Sequence, residues 1–198
     1  MPEYRRSWVE GGTYFFTVVT YHRRPLGESP RGEPILTTTE ARKILRSAWV
    51  DVRKRFPLRI DAVCLRPLGC LLPDHIHCIW VLPEGDANYA VRWKEIKRLF
   101  TRSYLDRVGP GETRNASRES RGEAAIWQRR YWEHTLRDEA DLNRHRDYIH
   151  YNPVKHGLVG SVVEWPWSSF HRYVRLGYYD RGWGEAVEEA LNRMRCGE

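Results

Sequence analysis

The run His75-Ile76-His77-Cys78-Ile79-Trp80-Val81-Leu82 is rich in strand-forming residues and carries two histidines two positions apart. Side chains alternate faces along a strand, so both imidazoles point one way while Ile76 and Cys78 point the other. Two parallel imidazoles on one sheet face are half of a metal site. Further along, Tyr148 and Asn152 are four residues apart, which places them one turn apart on a single helical face. The Asn152 carboxamide oxygen is a hard ligand suited, beside two histidines, to Mg²⁺ or Mn²⁺. A tyrosine one turn away could attack a phosphorus held by such an ion. The resulting phosphotyrosine would conserve the phosphodiester bond energy for rejoining. Tyrosine is a weak nucleophile near its ordinary pKa of about 10, so that chemistry needs a polarised phosphate.

Plainer roles compete for each residue. One histidine of an isolated His-x-His pair can bond a neighbour while the other lies on the surface. Tyr148 can pack inward with Ile149, and Asn152 can end the helix before Pro153. Tyr151 is a rival nucleophile, but its neighbour Asn152 would diverge from it, which favours Tyr148. His134 can line the same site or make a structural hydrogen bond. Cys64, Cys70 and Cys78 lack the spacing of a zinc knuckle, and Cys78 should face away from the histidines, so ordinary reduced thiols are expected.

These residues need elements to hold them. Tyr14 to Tyr21, behind Gly11-Gly12, reads as a buried strand. Thr38 or Thr39 caps a helix with Ala41, Ile44, Leu45, Ala48, Trp49 and Val52 at helical spacing, ended by Pro57. A second strand region spans Leu58 to Leu72 and is interrupted by Arg66-Pro67-Leu68-Gly69. The histidine strand follows, bounded by Pro83-Glu84-Gly85-Asp86. A basic helix spans about 90 to 105, with Val91, Ile96, Leu99, Phe100 and Tyr104 available for burial. A strand is expected over 126–136, then a helix capped by Asp138 and terminated by Pro153. Trp165 and Trp167, around Pro166, read as core. The order β-α-β-β-α-β-α is that of a split βαβ, ferredoxin-like α+β fold: an antiparallel sheet with helices packed on one face. Residues 1–198 read as a single domain, with mobile loops at 23–34 and 106–124 and a C-terminal tail from about 173.

The 198 residues carry 33 Lys+Arg against 26 Asp+Glu, a formal charge of +7, and are 13% aromatic. That balance suits a nucleic-acid partner, because cations neutralise phosphates and rings stack on unpaired bases. Arg5, Arg6, Arg92, Lys94, Lys97, Arg98, Arg129 and Arg130 are the candidate DNA contacts. No stretch approaches the roughly 18 apolar residues of a membrane span, and the first residues are not a signal peptide. With four cysteines and no disulfide framework, a cytoplasmic location is expected.

Taken together, these segments resemble the single-tyrosine HUH transposases, whose motif is His-hydrophobic-His. Within that group they resemble the REP-associated tyrosine transposases, linked to repetitive extragenic palindromes. The resemblance rests on Leu72-Pro73-Asp74-His75-Ile76-His77-Cys78-Ile79-Trp80, on Arg92-Trp93-Lys94-Glu95-Ile96-Lys97 and on Trp127-Gln128-Arg129-Arg130-Tyr131-Trp132-Glu133-His134. Its most specific stretch is Asp147-Tyr148-Ile149-His150-Tyr151-Asn152-Pro153-Val154-Lys155-His156-Gly157, followed by Trp165-Pro166-Trp167-Ser168-Ser169-Phe170-His171-Arg172. The resemblance implies an RRM-like HUH scaffold with metal on His75, His77 and Asn152 and Tyr148 as nucleophile. It also implies cleavage of single-stranded DNA at palindromic hairpins with attachment to the new 5′ end, by a monomer. Residues 64–70 read as an insertion just ahead of the histidine strand. A non-catalytic, structure-specific DNA-binding protein on the same scaffold is the competing expectation. Relaxases and replication initiators share the histidine motif but not the other segments.

Overall fold

Aromatic and β-branched residues behind Gly11-Gly12 form β1, Thr13–Val19. The turn requires glycine: Gly11 has φ 65°, and a Cβ on Gly12 would stand 2.7 Å from the Val9 carbonyl oxygen and 2.9 Å from the Tyr14 ring. The computed structural model describes residues 6–21, 36, 38–64, 75–109, 114–184, 191, 193–194 and 196. Arg5, the 23–34 loop and residues 65–70 of the expected insertion lie outside the described residues.

Thr38 caps α1, Thr39–Arg55, by accepting from the Ala41 amide, and the apolar residues expected at helical spacing are the ones buried. The other elements are β2 (Arg59–Cys64), β3 (His75–Val81), α2 (Tyr89–Arg107), the single turn α3 (Ala116–Glu119), β4 (Trp132–Thr135), α4 (Glu139–Lys155) and α5 (Phe170–Arg175). The strands form one antiparallel sheet in the order β2-β3-β1-β4, the α+β arrangement expected.

One sheet face carries Tyr14, Phe16, Val18, Ile76, Cys78 and Trp80 into a core with α1 and α2, where Trp80 stacks on Trp93 at 4.2 Å. Helices were expected on one face only. That describes α1 and α2, whereas α4 covers the opposite face, where Phe15, Ala62 and Ile79 pack with Tyr148 and Ile149. Cys78 points away from the histidines, as alternation requires.

Several local expectations change. Pro153 does not stop α4, which continues to Lys155. A proline in the last turn removes only one amide bond there. Beyond it His156 N–H reaches the Asn152 carbonyl and Leu158 N–H that of Pro153. Within 106–124, α2 runs through Arg107, and buried Arg118 donates to the carbonyls of Ala124 and Trp127 at 2.7 and 2.8 Å. Trp165 is buried, but Trp167 is 43% exposed, under the Arg42 guanidinium.

Candidate active site

The β1–β3 register sets Val19 opposite His75 and Thr17 opposite His77. Residues directly opposite share a face, so both imidazoles project toward α4. Their Nε2 atoms are 3.0 Å apart. The other nitrogen of His77, Nδ1, is 3.0 Å from Thr17 Oγ1, and the Thr17 hydroxyl donates to the Cys196 carbonyl. A hydroxyl has one proton, and a carbonyl can only accept, so Thr17 must accept from His77 Nδ1–H. The His77 proton therefore sits on Nδ1 and leaves Nε2 as a lone pair facing His75, the tautomer a metal ligand needs. That donor chemistry fits a divalent ion shared by the two rings.

α4 crosses this face from β4 toward β2 and brings Tyr148 to His77, with ring centroids 5.4 Å apart at 70°. Asn152, buried, follows one turn later on the same side of the helix. Tyr151 turns instead into a separate cluster with Val162 and Phe170. The azimuth of α4 is fixed by Asp61, which sits at an irregularity of β2 between Ile60 and Ala62. Its Oδ2 accepts from Arg146 Nε and Nη2 at 3.1 and 3.0 Å and from the Tyr173 hydroxyl at 2.9 Å. Burial works against the Asp61 charge, but the Arg146 guanidinium more than offsets it and holds the carboxyl below its usual range.

Three contributors to the site were not anticipated. Thr17 sets the His77 tautomer. Lys155 Nζ donates to the Tyr148 hydroxyl at 3.3 Å and to the Met194 carbonyl at 2.8 Å. The C-terminal residues Met194 and Cys196 pack in the same cluster as Tyr148, which has no exposed surface. Lys155 stands seven residues after Tyr148, and that two-turn spacing is the only sequence signal for any of them.

His134 does not reach the histidine pair. Its Nε2 is 2.9 Å from Asp141 Oδ2, and Asp141 also contacts His145. Burial opposes the Asp141 charge, yet bonds from His134, the Arg137 amide and Arg144 hold its pKa at about 2. Cys64 shares the histidine face, opposite His77 in the register. Burial pushes its thiol up to about 12.

The basic candidates divide. Arg6, Lys94, Arg98 and Arg130 are exposed. Arg6 and Lys97 both lie over the Tyr131 ring, at 4.9 and 5.2 Å, and Lys97 donates to the Gln128 carbonyl. Burial, with Arg6 and Arg118 nearby, lowers the Lys97 pKa to about 8. Arg98 pairs with Glu95 and Arg129 with Glu123, both at the surface. Arg92 is a correction. It is buried, with its guanidinium spent on Asp86 at 2.6 Å and on the carbonyls of Pro57 and Asn88, so it braces the fold and offers nothing to a phosphate.

Comparisons with known proteins show the family. A Haemophilus influenzae chain named for the REP-associated tyrosine transposases is 42% identical over 186 residues, 93% of this chain and 94% of its own length. The REP-associated tyrosine transposase of Escherichia coli is 40% identical over 189 residues, covering 96% and 94% respectively. A solved structure of a REP-associated tyrosine transposase bound to a REP hairpin matches with a TM-score of 0.73 at 38% identity. That match covers 100% of this chain and 98% of the other. No family model matches the chain. The chain belongs to the REP-associated tyrosine transposases.

Proposed function

We propose that this transposase binds REP-type DNA hairpins and nicks and rejoins the adjoining single strand through Tyr148. The observation that carries the proposal is the Tyr148 ring set 5.4 Å from His77, whose Nε2 lies 3.0 Å from that of His75. Once the phenol is uncovered, Tyr148 gives its proton to water and its oxygen attacks the phosphorus. The Tyr–O–P bond forms, the P–O3′ bond breaks, and the leaving 3′ oxygen takes up a proton. Lys155, donating to the Tyr148 oxygen, positions it and stabilises the negative charge that develops there. A divalent ion, Mg²⁺ or Mn²⁺, held by His75, His77 and Asn152 would polarise the scissile phosphate and neutralise its charge. The 3′-OH of a second strand reverses the step. Arg6, Lys94, Lys97, Arg98 and Arg130 supply the cations along which the DNA backbone runs, and the hairpin held by the solved relative supports the substrate class.

A second reading, a DNA-binding protein that does not cut, is favoured by one observation: Tyr148 is completely buried. Incubation of end-labelled hairpin DNA with Mn²⁺ separates the two. A protein–DNA species that survives denaturation supports nicking, and binding without such a species supports the second reading.

A further inference from the structure

We propose that His134, Asp141 and His145 form a second site, at the β4–α4 junction, for a divalent transition ion of the zinc class. One donor atom from each side chain lies within 4.8 Å of the others. His134 Nε2 is 2.9 Å from Asp141 Oδ2, and His145 Nδ1 is 3.1 Å from Asp141 Oδ1. Ligands at bond lengths of 2.0–2.2 Å around one ion stand roughly 3 Å apart, so each imidazole is already near coordinating separation from the carboxylate. Asp141 and His145 are four apart on one helical face, and His134 comes from the strand just before the helix. Two imidazoles and one carboxylate are a donor set that zinc favours and that magnesium, with its preference for oxygen, does not. Asp141 and His145 are buried, whereas the His134 side chain is 25% exposed and leaves a solvent-facing direction for a water ligand.

One cation and one hydrogen bond must give way. Arg144 Nη2 is 3.2 Å from Asp141 Oδ1, but its side chain is 69% exposed and can swing into water. Arg137 contributes only its backbone amide, at 3.3 Å. His145 Nδ1 also lies 2.9 Å from the Asp141 carbonyl, and on binding it exchanges that contact for the ion while its proton resides on Nε2. The site is distinct from the His75–His77 pair. Strand β1 lies between β3 and β4, and its Phe15 ring touches both His77, at 5.4 Å, and His145, at 4.9 Å. An ion here would pin β4 to the start of α4, seven residues or about 10 Å before Tyr148, and so position the helix without touching the reacting atoms.

The proposal stands whether or not Tyr148 is the nucleophile, and its readout is bound metal, not cleavage. The His75→Ala/His77→Ala variant, dialysed against Zn²⁺ and analysed by atomic emission, is expected to retain about one equivalent. Zn²⁺ is also expected to raise its thermal midpoint. Adding His134→Ala, a change at a part-exposed position, should abolish both effects while circular dichroism stays native. No zinc on the double variant, no thermal shift, or zinc unchanged after His134→Ala would each overturn the site. Should the triple variant lose its native spectrum, Asp141→Asn in the double variant replaces it, with the same loss of zinc expected and unchanged zinc again contradicting the site.

Discussion

The Thr17 hydroxyl oxygen accepts the Nδ1 proton of His77 across the β1–β3 ladder at 3.0 Å, and the same hydroxyl donates to Cys196. One threonine thus fixes which nitrogen of His77 is basic and ties the C-terminal segment to the histidine pair.

Replacing that hydroxyl with a methyl group tests the link. Thr17→Val keeps the shape, strands the His77 N–H in a buried site and frees its tautomer. Mn²⁺ affinity measured by calorimetry should fall about 10- to 100-fold. Stability to urea should drop by about 1–3 kcal/mol. Unchanged Mn²⁺ affinity would remove Thr17 from the site.

On the proposed function, Lys97 makes hairpin binding depend on pH. Burial, then Arg6 and Arg118, lower its pKa to about 8 from an ordinary value near 10.4. In the folded protein it therefore loses its charge as pH rises through 8. The unfolded chain still binds that proton up to about pH 10, so fold stability gains over the same window while phosphate attraction is lost. Hairpin affinity in fluorescence anisotropy should fall several-fold between pH 7 and 9.5, and Lys97→Arg should flatten the profile. An unaltered slope in Lys97→Arg would assign the titration elsewhere.

Tyr148 has no exposed surface, and Met194 and Cys196 lie in its cluster. The proposed chemistry needs the phenol exposed to DNA, and Met194 and Cys196 are among the residues packed around it. Deleting residues 191–198 should therefore speed covalent attachment to hairpin DNA by about tenfold or more, an effect of over 1.4 kcal/mol on the barrier. A slower reaction in a variant with a native circular dichroism spectrum would show that the segment supports the site and does not cover it.

What the sequence displays and what it hides follow from the range of each interaction. The α1 cap and its buried stripe are legible because a helix is a local, 3.6-residue pattern, and Thr38 with Ala41, Ile44 and Leu45 is enough to place it. The shared face of His75 and His77 is legible because strand alternation is equally local. Thr17 opposite His77 is not, since it depends on pairing two strands separated by 60 residues. Arg92 reads as a surface cation because its helix is basic, yet Asp86 and two carbonyls hold it inside. The cluster of His134, Asp141 and His145 needed the β4–α4 turn before three scattered residues became neighbours. Pro153 misled for a local reason, because a proline in a final turn removes one bond and not a helix.

The most direct test of the central claim is peptide mapping of the covalent species formed with hairpin DNA and Mn²⁺. The nucleotide should be found on Tyr148, and Tyr148→Phe, which loses one hydrogen bond from Lys155 and about 1 kcal/mol of stability, should form no adduct while still binding the hairpin. Adduct retained in folded Tyr148→Phe, or mapped to Tyr151, would contradict the account.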